Sequence, residues 1–256
     1  MSTKMADYVA DGPVHESPEW GLYHLSEHLE DHSIRHCIAG DAIISILGYP
    51  LVVCDLYLAV ADEQLEDALT VILQQGCQQT GGRDCYVDKK ATIAPLGWPG
   101  YRLTSSELLP ATVMLVPASF WHMDLSVSSL SENTFLHPTT QCRFPKRLFY
   151  LDALVNAIVD GALKPGWNIL VSGYFEMKYH YLLACLSPDT LIGLPPEDRF
   201  FVDLYGRLLP PSTRQKVCFN QQQIRHGLMT VEDAWKSIPR KALEFDALQR
   251  KIRNHG

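Results

Sequence analysis

The stretch that decides the fold runs from Ala39 to Ala61 and reads AGDAIISILGYPLVVCDLYLAVA. A small-residue turn opens a short helical run, a Gly-Tyr-Pro segment ends that run, and a strand rich in valine and leucine follows. The strand carries one acid, Asp55, and the residue two positions later is Tyr57. Residues two apart on a strand share a face, so two acids here would hold a metal ion together. This strand has one acid where such a pair needs two.

Length and composition set the broad class of the protein. At 256 residues the chain suits one large domain, or a main domain with a smaller helical one. With 46% hydrophobic and 20% charged residues it has the composition of a globular protein. The net charge of -7 argues against nucleic-acid binding, because such binding needs Lys and Arg to replace counterions on phosphates.

The cysteines and the hydropathy predict a cytoplasmic protein. The seven cysteines are odd in number, are scattered and form no CxxC pair, which indicates reduced, buried thiols. The N-terminus has no apolar signal segment, and no stretch reaches the ~18 uninterrupted apolar residues that a membrane helix needs. We therefore expect no membrane partner.

Hydrophobic periodicity divides the chain into three segments: a flexible arm at 1–18, an α/β core at 19–144 and a helical region at 145–256. In the core, the pattern predicts helices at 19–31, 41–47 and 62–75 and strands at 37–39, 51–60 and 111–116. In the helical region it predicts helices at 146–162, 167–186, 199–208, 212–226 and 230–254, the last with a kink at Pro239.

This order of elements resembles the nucleotidyltransferase-fold superfamily, in particular divergent fungal members. Their pattern runs Gly, Gly, x, Ala, then Gly, then Thr, x, Asp, hydrophobic, Asp. In this chain the small pair is Ala39 and Gly40, the alanine is Ala42, the later glycine is Gly48 and the strand acid is Asp55. The resemblance implies an α/β fold with a small mixed sheet, flanking helices and a helical C-terminal half packed over the core. It also implies a cleft between the halves.

The departures from that pattern argue against its usual reaction. Leu51 stands where those proteins often have arginine, Val53 replaces the threonine, and Tyr57 replaces the second aspartate. The third acid is absent from Thr112 to Val116. One carboxylate cannot hold two divalent ions, and a phenol with a pKa of ~10 is a poor ligand. We therefore expect neither a metal nor a cofactor.

The cleft is expected to be rich in aromatic residues. Lys178 lies on an aromatic helical stripe of the kind that is usually core, and a buried ammonium there needs a carboxylate or a carbonyl-bearing ligand. Asp55 is a possible partner. The candidate catalytic residues, each able to donate a hydrogen bond, are Tyr57, His122 and Lys178. The candidate ligand-binding residues are Asp55, Trp121, Tyr174, Phe175 and Tyr179.

Four histidines repeat every four residues and could bind zinc in neighbouring pairs: His24, His28, His32 and His36. The acidic residues between them indicate a solvated helix face, and the fourth histidine is expected beyond the helix, at the start of a strand. Metal binding by this ladder stays open at this point.

Three functions fit the sequence. In the first, the cleft binds an apolar small metabolite and promotes a cofactor-free cyclisation or rearrangement, of the pericyclase or Diels–Alderase kind, in fungal-type secondary metabolism. In the second, the chain is an inactive pseudoenzyme that binds a nucleotide or a protein. In the third, it is an active metal-dependent nucleotidyltransferase that uses Asp55 with acids such as Asp41 or Glu107. The sequence identifies neither the substrate nor the oligomeric state.

Overall fold

The computed structural model describes residues 23–47, 49, 51, 53, 55–81, 99–105, 112–138, 142–163, 169–207 and 209–244. The predicted arm at 1–18 and Glu107 lie outside the described residues. The chain forms two compact units, one of Met1–Ala157 and Asn168–Cys185 and the other of Ile158–Trp167 and Leu186–Gly256. This division assigns 145–157 and 168–185 to the first unit, so it differs from the sequence-based boundary at 144/145, which stays a prediction.

A five-stranded mixed sheet forms the centre of the first unit. Its strands are β1 (His36–Ala39), β2 (Asp55–Val60), β3 (Gln78–Gly81), β4 (Tyr101–Thr104) and β5 (Thr112–Pro117), in the spatial order β1-β2-β5-β4-β3. The central strands β2 and β5 are parallel, and the other neighbours are antiparallel. Both central strands are almost wholly buried, as parallel strands covered on both faces are. The predicted α/β fold class is confirmed.

The first unit also contains helices, and the first three of them pack on this sheet. They are α1 (Tyr23–Asp31), α2 (Asp41–Ile46), α3 (Leu65–Gln74), α4 (Val127–Asn133) and α6 (Ile169–Cys185), and α5 (Arg147–Leu163) contributes to both units. In α3 the buried residues recur at helical spacing, and acids occupy the first turn, where they suit the helix dipole. The helix α2 contacts β1, β2 and α6, so α6 lies next to the turn that opens α2.

A small antiparallel hairpin precedes α5. Its strands are β6 (Thr134–Leu136) and β7 (Arg143–Pro145), and β7 also contacts β1. Sequence periodicity did not predict this hairpin or α4, because segments of three to seven residues are too short to show a period.

The second unit is helical. It contains α7 (Pro188–Ile192), α8 (Pro196–Tyr205), α9 (Pro211–Arg225) and α10 (Val231–Ser237). Proline stands in the first turn of the first three, where its missing N–H needs no partner. The helix predicted at 230–254 is interrupted at 238–239, as expected from Pro239, and is helical again over 240–244. Across the described ranges, no helix is long and apolar enough to span a bilayer.

The cysteines in the described residues are free thiols. Cys37, Cys77, Cys142 and Cys218 are buried, and Cys185 is half-buried. Burial raises the pKa of the Cys37 thiol to about 12, so this thiol stays protonated at neutral pH. The prediction of free, buried thiols is confirmed for Cys37, Cys77, Cys142 and Cys218, and Cys185 is free but only half-buried.

Candidate functional site

The site begins at the turn that joins β1 to α2. Gly40 has φ 71° and ψ -142°, a conformation that residues with a side chain rarely adopt. A Cβ at this position would lie 2.7 Å from Cδ2 of Tyr57 and 2.9 Å from the hydroxyl oxygen of Tyr174. The backbone N–H of Gly40 donates a hydrogen bond to the hydroxyl oxygen of Tyr150 at 3.2 Å. Tyr57 and Tyr174 therefore fill the space around this turn, and Tyr150 accepts the hydrogen bond of its amide.

Tyr57 lies at the centre of a group of rings that we call the aromatic cluster. Its side chain is 3% exposed, and its ring centroid lies 5.8 Å from those of both Trp121 and Tyr174. The Trp121 centroid lies 5.3 Å from that of Phe175 and 6.3 Å from that of Tyr150. These are the separations of edge-to-face and tilted aromatic pairs. The cluster thus consists of Tyr57, Trp121, Tyr150, Tyr174 and Phe175.

Trp121 reaches the cluster from a short 3-10 helix, Ala118–Trp121, that follows β5. His122 ends this helix in the left-handed conformation, at φ 54°, and its backbone N–H donates to the carbonyl of Ser119 at 3.2 Å. The His122 side chain is half-buried. The structure thus gives His122 a part in turning the chain, and its role as a hydrogen-bond donor to a ligand stays a prediction.

Lys178 projects from α6 into this region and is 2% exposed. Its ammonium forms an ion pair with the carboxylate of Asp41, the first residue of α2. The Nζ atom also lies 4.5 Å from the ring centroid of Tyr174 and 5.9 Å from that of Tyr181, within reach of cation–π interaction. The partner expected from the sequence was Asp55, and the structure has Asp41 instead, because α2 packs against α6.

Asp55 stands at the start of β2, half-buried, on the same strand face as Tyr57. Burial raises the pKa of the Asp55 carboxyl, and the nearby charge of Asp41 raises it further. The charge of Arg102 and a hydrogen bond with Thr112 act in the opposite direction. The one acid retained on the strand is thus a partly desolvated carboxylate between β5 and the start of α2.

The structure places the other predicted residues as follows. Phe175 belongs to the aromatic cluster, whereas Tyr179 is fully buried on α6 with its ring centroid 5.4 Å from that of His180. Sequence reasoning missed Tyr150, although a tyrosine on the apolar helix α5 was a signal that could have been used. It also missed the pair formed by Tyr49 and Tyr181, whose ring centroids are 4.6 Å apart.

The donor atoms of the described residues at this site do not fit the pair of metal ions that the nucleotidyltransferase resemblance implies. Beside Asp55 and Tyr57, the facing positions of β5 are Thr112 and Met114. Asp41 is engaged by the ammonium of Lys178. Within the described residues no group of three or more His, Cys, Asp and Glu side chains could hold a metal ion. The described residues therefore present one strand acid, Asp55, and no set of metal ligands around it.

The histidine ladder divides between two elements. The ring centroids of His24 and His28 lie 5.7 Å apart on α1, and Nδ1 of His32 lies 2.8 Å from the carbonyl oxygen of His28. His36 lies in β1, fully buried, with Nε2 2.7 Å from the hydroxyl of Ser26 and Nδ1 2.8 Å from a backbone carbonyl. The fourth histidine is thus a hydrogen-bonded core residue, as its expected position in a strand indicated.

A surface pocket of about 310 Å³ lies where β2 and β5 end, beside Asp62 and Ser119. Its polar lining is occupied by local contacts, because Asp62 accepts a hydrogen bond from the Ser119 amide at 3.0 Å and Asp124 accepts one from the Ser126 amide at 2.9 Å. None of the residues predicted to bind a ligand lines this pocket. It is therefore distinct from the site around Lys178.

Comparison with known proteins gives distant structural likenesses. The sequence matches no protein-family model and no curated protein. Among solved structures, the chain is similar to an antigenic nucleotidyltransferase-like protein from Paracoccidioides brasiliensis, with a TM-score of 0.40 and 14% identity, covering 85% of this chain and 91% of that one. It is also similar to the antibiotic-resistance factor ANT(2'')-Ia, with a TM-score of 0.35 and 12% identity, covering 64% of this chain and 87% of that one. Likenesses at these TM-scores carry no function over to this chain.

Proposed function

We propose that this protein binds an apolar small molecule through a carbonyl group held by Lys178. We further propose that it promotes a cofactor-free cyclisation or rearrangement of that molecule, of the pericyclase or Diels–Alderase kind. The observation that supports this proposal is the Lys178 ammonium, which is 2% exposed and surrounded by aromatic rings. A cation in such surroundings is suited to polarise an apolar ligand.

The ammonium has hydrogen-bonding capacity left over. A lysine ammonium carries three N–H donors. In the part of the chain that the structure describes, Asp41 is the one hydrogen-bond acceptor that Lys178 contacts, and its other neighbours are the ring faces of Tyr174 and Tyr181. Donating a second hydrogen bond to a ligand carbonyl would compensate for the burial of this charge.

The surroundings of the ammonium suit an apolar ligand that enters from the surface. Tyr49, Tyr174 and Tyr181 are half-buried, and the side chain of Asp41 is 20% exposed. Aromatic faces can hold a flexible substrate in a reactive conformation, and a hydrogen bond to its carbonyl oxygen stabilises the charge that develops there during ring closure. Neither contribution needs a metal ion or a nucleotide.

A second candidate function is that of an inactive binding protein. It is favoured by the close packing of the cluster, since Trp121 and Phe175 are fully buried and Tyr57 nearly so. In that case the three tyrosines around Gly40 are core residues that replaced a nucleotide site, and the chain binds a partner without chemistry.

Thermal-shift measurements test the proposed function. The panel contains apolar ketones and aldehydes, the matching hydrocarbons without a carbonyl, and a nucleoside triphosphate with magnesium. Saturation at about 100 times Kd contributes ~2.7 kcal/mol, a shift of several degrees. We expect this shift from carbonyl compounds only.

The Lys178→Met variant should lose the difference between carbonyl compounds and hydrocarbons, each shift being measured from the variant's own melting temperature. Lys236→Met is the matched control, because Lys236 forms an exposed pair with Glu232 in the second unit. Stabilisation by the nucleotide with magnesium, and not by carbonyl compounds, would contradict the proposal.

A further inference from the structure

We infer that Asp55 is a general base for this site, which removes a proton from the carbon next to a carbonyl group held by Lys178. The inference rests on the proposed function, because it requires a carbonyl ligand at Lys178. It narrows the substrate class to apolar ketones and aldehydes that have an acidic C–H beside the carbonyl. It also adds enolisation to the chemistry of the site.

The geometry puts the carboxylate and the ammonium at the same end of the sheet. Asp55 and Tyr57 share one face of β2 and are separated by about 6.6 Å along the strand. The ring centroid of Tyr57 lies 5.8 Å from that of Tyr174, and the Tyr174 centroid lies 4.5 Å from Nζ of Lys178. Asp41, the ion-pair partner of Lys178, is also close enough to Asp55 to interact with its charge. One small molecule that contacts the half-buried side chain of Tyr174 could thus meet both groups.

The surroundings of Asp55 suit a base. It is half-buried and so remains partly accessible from solvent. The charged and hydrogen-bonding groups that face it are Asp41 from α2, Arg102 from β4 and Thr112 from β5. Partial desolvation makes a carboxylate a stronger proton acceptor, and the direction of its pKa shift agrees with this. A fully solvated surface carboxylate would lack this advantage.

The step is balanced without any other reactant. The C–H bond next to the carbonyl breaks, and its proton binds a carboxylate oxygen of Asp55. The electron pair of that bond forms the C=C bond of an enolate, and the negative charge moves to the carbonyl oxygen, which accepts an N–H hydrogen bond from Lys178. Return of this proton to a conjugated carbon completes an isomerisation. When the Asp55 carboxyl first exchanges its proton with solvent, return to the same carbon completes an exchange.

Proton NMR in deuterated buffer tests the step with β-tetralone, an apolar ketone whose C–H beside the carbonyl is acidic. The wild-type protein should accelerate deuterium incorporation at that carbon by about a hundredfold over buffer. Asp55→Asn should remove the acceleration while leaving the Kd for β-tetralone unchanged, and Asp55→Glu should restore part of it. The exposed acid Asp67 supplies the matched control, Asp67→Asn, which should exchange at the wild-type rate.

The dependence of the rate on pH separates a base from a structural residue. Acceleration by the wild-type protein should fall as the pH drops and Asp55 becomes protonated, and the acceleration restored by Asp55→Glu should fall with pH in the same way. Exchange at the wild-type rate in Asp55→Asn overturns the inference, as does β-tetralone binding without exchange. Loss of ketone binding in Lys178→Met supports the proposed function separately, and a wild-type protein that neither binds nor exchanges β-tetralone overturns both.

Discussion

Removing the Lys178 ammonium and removing the Asp41 carboxylate should destabilise the protein by different amounts. The Lys178 side chain is 3% exposed and that of Asp41 is 20% exposed. Loss of one member of a buried ion pair costs about 3–5 kcal/mol, because the other charge is left without compensation. Without Lys178, the partly exposed Asp41 carboxylate can still be hydrated, so Lys178→Met should cost about 2–3 kcal/mol. Asp41→Asn removes the negative charge beside the Lys178 ammonium and leaves it next to the ring faces of Tyr174 and Tyr181. This variant should cost about 4–5 kcal/mol.

The double variant Lys178→Met/Asp41→Asn removes both charges at nearly constant volume. It should cost less than either single variant, on the order of 1 kcal/mol, since replacing a whole buried pair is often close to neutral. Urea unfolding followed by tryptophan fluorescence measures these differences in the free energy of unfolding. The control is Lys236→Met, whose pair with Glu232 is 66% and 78% exposed and should contribute less than about 0.5 kcal/mol.

Two results would refute this reasoning. If the double variant costs as much as the sum of the two single variants, the charges do not compensate each other in the folded protein. If Lys178→Met costs more than Asp41→Asn, the ammonium is the better solvated member of the pair, contrary to its burial.

Gly40→Ala and a fall in pH should each destabilise the first unit. Gly40→Ala should lower the free energy of unfolding by about 3 kcal/mol in urea, because the new Cβ meets Tyr57 and the positive φ is strained. The control Gly76→Ala has a positive φ but nothing within 4 Å of the new Cβ, and it should cost about 1 kcal/mol. Equal costs would contradict the steric contact between the Cβ at position 40 and Tyr57. Burial lowers the pKa of His36 from 6.5, so below that pH the unfolded chain binds a proton that the folded chain does not. The contribution of His36 to stability should be complete above pH 6.5 and should fall by up to ~1.4 kcal/mol per pH unit as the pH drops towards the folded pKa. His36→Gln should therefore show a shallower fall in the same urea experiment. An unchanged slope would show that other groups cause it.

Much of the fold could be predicted because the signals are local. The spacing of Leu65, Leu69 and Ile72 predicted the helix α3, and the apolar run at 111–116 predicted the strand β5, which lies between β2 and β4 in the sheet. Each of these patterns reports which face of a single element is buried. The hairpin of β6 and β7 could not be predicted in this way, because its strands are three residues long.

The site was predicted less completely than the fold. Tyr57, Trp121, Tyr174 and Phe175 do come together, as the aromatic stripe and the missing acid indicated. Tyr150, Tyr49 and Tyr181 were missed, because no property of one element shows which rings it meets on another. The contribution of the four predicted cluster residues, and of Tyr179 and His122, to ligand binding stays a prediction.

The stretch from Ala39 to Ala61 determined by itself that one acid stands where a metal site needs two, since residues two apart on a strand share a face. Only the tertiary structure decided that Asp41, and not Asp55, holds Lys178, and that tyrosines occupy the Gly40 turn. The physical reason is distance along the chain. The Lys178–Asp41 contact joins residues 137 positions apart, and the Gly40–Tyr150 hydrogen bond joins residues 110 apart. Periodicity describes the face of one element, and such contacts depend on how several elements pack together.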